Sequence, residues 1–272
     1  MNARTLRELW LFFRRDLLIA RTYRVPFLLE AVETLFGATL FYYVARFVDN
    51  PALSQALPQR GGYFAFALVG VAFFDYLSVA LDAFDRSLEE ARNSGTLEPL
   101  LVTQTSLLVI LAGSAFYPFL VTTLRVAVYL GWGAILFGFP LGKANWAGVV
   151  VVLLASILAF SGLGILSASY LLLFKRGNPA KWILLGISSI VSGMLFPLST
   201  LPGWLQLLAR LNPVTYALEA MRASLLAGAG FLELLQPLGV LLLSAAILLP
   251  VSMTAFSWAL RRTKTTGTLT HS

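Results

Sequence analysis

Two ionisable residues, Asp75 and Arg125, stand inside long apolar stretches. There a carboxylate or guanidinium can carry a proton, pair with an ion or hold the polar part of a solute. Each costs roughly 2.5–3.5 kcal/mol at the centre of a membrane helix, so depth decides what such a residue is for. At ~1.5 Å per helical residue, Asp75 lies ~14 Å from Phe84, at the inner end of its apolar run, and Arg125 lies ~29 Å from Ser106. On that count they miss each other by two helical turns. Arg125 is then expected to snorkel outward or to meet a later outer segment. Glu30, Glu33 and Asp82 sit ~6, ~10 and ~3 Å from the inner ends of their runs. Cytoplasmic water or a basic N-terminal helix can satisfy all three.

Other chemistry has few candidates. The chain has no Cys, and its one His is His271, in a polar tail. His-based metal sites and Ser-His-Asp catalysis therefore have no members in the apolar segments. The nearest approach to a phosphate-binding loop is Gly138 to Lys143. It is one residue short between its glycines, lacks the Ser/Thr and falls on the outer side, so it reads as a connection. Pro140 stands between the same two glycines and argues against helix packing there.

The elements that must position Asp75 and Arg125 follow from composition. The 272 residues are 58% hydrophobic and 12% charged, with mean hydropathy +0.80. Soluble domains are about 25% charged, so lipid must be the solvent for most of this surface. The net charge of +7 comes from basic residues flanking apolar runs, which is membrane topology rather than nucleic-acid binding. The apolar runs are Pro26–Val48, Tyr63–Phe84, Ser106–Phe139, Trp146–Phe174, Trp182–Leu198 and Leu234–Leu260. The expectation is an all-α integral membrane protein with six spans over residues 26–260, and Pro118 as a candidate kink in the third.

Before the spans, residues 1–25 read as an amphipathic helix in the membrane interface. Leu6, Trp10, Phe13 and Leu17 share one face, and Arg7, Arg14 and Arg21 recur on another, with Arg15 beside them. Arg14, Arg15 and Asp16 interrupt any signal-peptide run. Residues 199–228, cut by Pro213, are too short to cross twice and are expected to form two short helices re-entering the outer leaflet. A polar tail, 261–272, ends the chain. With the N-terminus inside, 14 basic residues are cytoplasmic and five are external, Arg125 lying in a span. That bias puts both termini in the cytoplasm.

The most informative hydrophilic stretch is 85–105, between the second and third spans. Positive-inside bias alone would not choose Asp85, Glu89, Glu90 and Glu98. Gly95 can end one helix and Thr96 can cap another, which carries Leu97, Leu100 and Leu101 on one side. Two readings stay open on these residues alone: a displayed docking helix, or an ordinary loop.

This stretch, Gly95-Thr-Leu-Glu-Pro-Leu-Leu-Val-Thr-Gln-Thr-Ser106, resembles the coupling-helix segment of the permeases of ABC-2-type exporters. Leu195 to Pro213, continuing through Val214-Thr-Tyr-Ala-Leu-Glu-Ala-Met-Arg222, is similar to that family's region after the fifth helix. Gln104 departs from the family, many members of which carry Pro there. With the basic interfacial helix and the six spans, the likeness covers essentially the whole chain.

The resemblance implies a permease without its own nucleotide site. It would work as a homodimer, or a pseudo-dimer with a second permease, bound to two copies of a separate ABC ATPase that holds ATP and Mg. The resemblance casts Glu90, Gly95, Thr96, Leu97, Glu98, Leu100 and Leu101 as the ATPase-coupling residues. Trp10, Phe13, Arg14, Arg15 and Arg21 belong to the interfacial helix. An outer gate would comprise Phe196, Pro197, Leu201, Pro202, Trp204, Asn212, Pro213, Tyr216, Glu219 and Arg222. The implied place is the inner (plasma) membrane, in contact with lipid, with no nucleic acid partner. The wording of these motifs leans to a hydrophobic or amphipathic substrate, drug- or lipid-like, with polysaccharide or glycolipid export as the alternative. The rival class, an ion-coupled secondary transporter, would use Asp75 as proton carrier, yet no second half mirrors that residue.

Overall fold

The computed structural model describes residues 10–11, 14–15, 17–18, 24–48, 62–93, 107–174 and 178–265. The described residues contain helices and no strand. In chain order the helices are α1 (Arg24–Val48), α2 (Gly62–Asn93), α3 (Leu107–Phe137), α4 (Trp146–Phe174) and α5 (Pro179–Val191). They continue with α6 (Gly203–Leu211), α7 (Pro213–Arg222) and α8 (Phe231–Thr265). A single 3-10 turn, Leu198–Thr200, precedes α6, and a π-helical turn, Ala223–Ala227, follows α7.

Among the described residues four helices are long and apolar enough to cross a bilayer: Gly62–Glu90, Val109–Phe137, Trp146–Phe174 and Phe231–Thr263. The apolar parts of α1 (Leu35–Phe47) and of α5 are shorter. This corrects the expectation for the fifth run, which was read as helical to Leu198. Gly193 takes a left-handed φ of +75°, so the helix stops at Val191. Thirteen helical residues rise only ~20 Å, short of a ~30 Å hydrocarbon core.

The core is built around α4, which packs along α8 on one side and against α2 and α7 on others. Small residues allow this. Ala155, Ser156, Ala159, Gly162, Gly164, Ser167 and Ala168 are all buried on α4. A side chain at Gly164 would collide with the Ala80 carbonyl and the Phe84 ring of α2. Membrane helices associate through such close backbone approach rather than through a hydrophobic force between them. Phe73, Tyr76, Phe84, Phe160, Leu218, Leu225 and Leu241 fill the remaining space. Facing outward are Phe36, Leu40 and Phe47 of α1, Trp182 and Ile187 of α5, and Leu235 and Leu242 of α8. An apolar exterior is what a lipid solvent demands.

Two Asn-Pro pairs start helices by the same device. Asn178 and Asn212 are N-caps, their side chains accepting from the amides of Lys181 and Val214, both at 3.1 Å. Pro179 and Pro213 follow at the first helical position, where the missing N–H costs nothing. Each cap also reaches another element. Asn212 donates to the Ser188 hydroxyl of α5 at 3.2 Å, and Asn178 binds α2 and α4.

Candidate functional site

Three polar groupings cross the bundle at different levels. At the end near residue 93 of α2, Asn178 Nδ2 donates to Asp85 Oδ2 at 2.8 Å. It also donates to the Ser167 hydroxyl at 2.6 Å and the Ser167 carbonyl at 3.2 Å. Lys181 pairs with Asp82, and Arg86 lies 3.7 Å from the same carboxylate. One asparagine and one lysine thus bind the start of α5 to the last turns of α2. Asp82 was expected to meet water or the interfacial helix. Its partners are instead Lys181 and Arg86, because the start of α5 lies against α2. Glu33 is exposed.

At mid-bundle, Arg125 Nη1 lies 3.9 Å from Asp75 Oδ2, with the two side chains 30% and 42% exposed. This corrects the expectation that they miss each other. That count took Phe84 as level with Ser106. Yet α2 continues as one helix for nine residues past Phe84, to Asn93. Asp75 stands 18 residues before Asn93, and Arg125 stands 18 residues after Leu107, where α3 begins. In an antiparallel pair of helices, equal offsets from the shared end mean equal height.

The third grouping centres on Arg222, 3% exposed. Its guanidinium donates to Gly193 O at 2.9 Å and Met194 O at 2.8 Å. It also donates to Phe66 O at 3.2 Å from Nε and 3.0 Å from Nη2. It lies over the Phe66 ring as well, 3.4 Å from the centroid. The carbonyls of Gly193 and Met194 are those released where α5 breaks. Irregular backbone at membrane depth survives only when protein satisfies it, and Arg222 does so here. Sequence reasoning listed Arg222 as an outer basic residue and a gate residue, without the carbonyls it binds. Its setting in the apolar run Val214–Leu226, where Glu219 is the one other charged residue, was the available signal for burial.

The other expected gate residues are spread over one end. Phe196 and Trp204 are exposed, Pro213 is buried, and Tyr216 donates to the Arg210 carbonyl at 3.0 Å. Pro197 and Leu201 bracket the 3-10 turn, and Pro202 precedes α6. Residues 203–222 do form two short helices, α6 and α7. Of the coupling residues, Glu90 is exposed near the end of α2. Gly95, Thr96, Leu97, Glu98, Leu100 and Leu101 lie outside the described residues. Trp10, Arg14 and Arg15 are helical and exposed, and Phe13 and Arg21 lie outside the described residues.

Residues 7–226 match the protein family described as ABC-2 type transporter. The match spans most of the chain, from the N-terminal basic segment to the π-helical turn after α7. The chain belongs to the ABC-2 type transporter family. It is therefore the membrane-embedded permease component of an ABC transporter, and its family implies an ABC ATPase as partner. Among curated proteins none matches it. The polar groupings of this permease hold helices together and furnish charge at mid-bundle. Among the described residues no cluster of His, Cys, Asp and Glu could hold a metal ion.

Proposed function

We propose that this permease exports a hydrophobic or amphipathic substrate, drug- or lipid-like, from the cytoplasm. It works as one of two copies in the inner membrane, driven by two ATPase subunits that bind ATP and Mg. The observation that carries this reading is the family match together with the course of α2. That helix runs unbroken from the bundle core, past Asp82, into the 85–105 coupling segment as far as Asn93. A push on that segment travels along α2 without meeting a hinge. The clasp on Asn178 and Lys181 passes it to α5, and the Asn212–Ser188 and Arg222–Gly193 bonds join α5 to α7.

The six-span arrangement takes α1, α2, α3, α4, α5 and α8 as crossings, with both termini cytoplasmic. Helix α1 has 25 residues, ~37 Å of helix, with Glu30 and Glu33 at its inner boundary. Helix α5 completes its crossing through the 192–202 stretch, whose Gly193 and Met194 carbonyls accept from Arg222. Helices α6 and α7 then form the re-entrant pair. Large apolar side chains such as Trp204, Leu207 and Leu211 on α6 suit a greasy outer gate.

The test is ATP-dependent accumulation of a fluorescent amphiphile by inside-out vesicles holding permease and ATPase, with a glycolipid as the second probe. Uptake of the amphiphile supports the reading. Uptake of the glycolipid alone transfers the assignment to the glycan branch. Uptake driven by a proton gradient without ATP would overturn the class.

A further inference from the structure

The start of α5 meets the last turns of α2 at two levels, one helical turn apart. Asn178 and Lys181 of α5 are three residues apart, as are Asp82 and Asp85 of α2. They match in antiparallel order, Asn178 with Asp85 and Lys181 with Asp82. Charge is shared unevenly between the two levels. Asp82 has two cations, Lys181 and, at 3.7 Å, Arg86. Asp85 is 6% exposed. Its Oδ2 accepts from the neutral Asn178 amide, while its Oδ1 is buried and accepts no hydrogen bond. A buried carboxylate oxygen without a donor is rare in native proteins and costly. Arg86 follows Asp82 by four residues on the same helix, so it stays with that carboxylate whatever α5 does. Asp82 can therefore release Lys181 and remain paired, and Asp85 lacks what Lys181 would bring.

Helix α5 is free enough to make the exchange. Ile183, Ile187 and Ile190 face away from the bundle, and Gly186 has open space around it. The helix is continuous from Pro179 to Val191, so its two ends move together. Its far end is held by Asn212 on Ser188 and by Arg222 on Gly193 and Met194. There the Met194 carbonyl sits where a side chain on Gly70 would be.

We propose that α5 has a second register, one turn along α2 toward Asn93, in which Lys181 leaves Asp82 for Asp85. Asp85 Oδ1 has essentially no accessible surface, so Lys181 reaches it by a shift of the helix, which also withdraws Asn178. Each carboxylate then has one cation, Arg86 on Asp82 and Lys181 on Asp85. The new pair offsets the lost bonds from Asn178 to Asp85 and Ser167, and opposing terms of this kind make a two-state element. The same movement, three residues or ~4.5 Å, carries the Gly193 and Met194 carbonyls off Arg222 and out of the notch at Gly70. Lys181 on Asp82 thus keeps Arg222 engaged, and Lys181 on Asp85 releases it. This latch is the movement an ATPase would drive, so it deepens the export reading and rests on it.

The test is a spin-label distance between Trp146→Cys of α4 and Ile187→Cys of α5, both exposed positions in a chain with no Cys of its own. Labelled permease is diluted into unlabelled permease and reconstituted with its ATPase in nanodiscs. Trapping with ATP and vanadate should lengthen the distance by about 3–5 Å, close to the rise of one turn. Asp85→Asn should melt no lower than the wild-type chain, since it removes the charge of a half-paired buried carboxylate. It should nevertheless show no lengthening and lose substrate-stimulated ATP hydrolysis. Arg222→Met should show the longer distance before ATP is added. A distance that stays fixed while ATP is hydrolysed and substrate moves would overturn the latch and leave the export reading standing. Full lengthening in Asp85→Asn would do the same. A wild-type chain that captures no ATPase would overturn the export reading and the latch with it.

Discussion

The Arg222 guanidinium donates to the Gly193 carbonyl at 2.9 Å across 29 residues of sequence. This bond, with its companions to Met194 and Phe66, fastens α7 to α2 at the point where α5 ends. Gly70, one turn along α2 from Phe66, has no side chain because the Met194 carbonyl and the guanidinium fill that space. The break in α5 is therefore part of the design of this end of the bundle. Its freed carbonyls are the anchor that Arg222 grips.

Replacing Arg222 with Met removes that grip and leaves buried carbonyls unpaired, each costing about 1–3 kcal/mol. The expected result is a clear drop in thermal midpoint in detergent. Arg222→Lys should recover only part of the loss, because an ammonium cannot present the planar fork that reaches three carbonyls. An Arg222→Met chain as heat-stable as the wild type would show that the carbonyls find other partners.

At the opposite end, Asn178→Ala removes an N-cap, worth about 0.5–2 kcal/mol, and the bonds to Asp85 and Ser167. Insertion should be normal, while substrate-stimulated ATP hydrolysis should fall. Asn178→Asp keeps the cap but sets a second carboxylate against Asp85, so it should impair coupling more than Ala does. Equal ATPase stimulation in both variants and the wild type would remove this clasp from the transmission path.

Close packing gives a prediction independent of charge. Gly164→Val drives a branched side chain into the Ala80 backbone and the Phe84 ring. Overpacking of this kind costs about 1–3 kcal/mol, so the variant should elute as aggregate or lose its folded peak at a lower temperature. Gly186→Val, with open space around it, is the matched control. Identical behaviour of the two variants would contradict the α2–α4 packing.

These elements differ in how far sequence reveals them. The bounds of α4, Trp146–Phe174, were legible to the residue. No charge falls between a capping Asn145 and the Lys175-Arg176 pair, so apolarity and helix coincide. In α2 they do not coincide. Its last turns are polar, and the helix outlasts the apolar run by nine residues. That overshoot hid the common height of Asp75 and Arg125. The break in α5 hangs on the φ of Gly193, in an otherwise uninterrupted apolar run. The Tyr129 hydroxyl and the Trp132 indole N–H, buried without a hydrogen bond, carried no signal at all, since an aromatic in an apolar run reads as lipid contact or packing until its neighbours are known.

Topology is open to a direct check. Reporters fused at Asn2, Gly95, Gly177 and Ser272 should read cytoplasmic, and those at Gln59, Lys143 and Gly203 external, following the 14-to-five bias of basic residues. A cytoplasmic signal at Gly203 would remove the re-entrant pair from the outer side.

The central claim is that a separate ATPase drives this permease through the segment after α2. Leu97, Leu100 and Leu101 would give the coupling helix an apolar face, each side chain worth roughly 1.5–3 kcal/mol if fully buried against the partner. Glu90 and Glu98 would orient it through basic groups on the ATPase. The measurement is capture of the ATPase by tagged permease in detergent, read alongside ATP-driven transport, for the Leu97→Asp/Leu101→Asp double variant. The account predicts a chain that inserts and dimerises normally, holds no ATPase and transports nothing. A double variant that retains its ATPase and transports at the wild-type rate would contradict it.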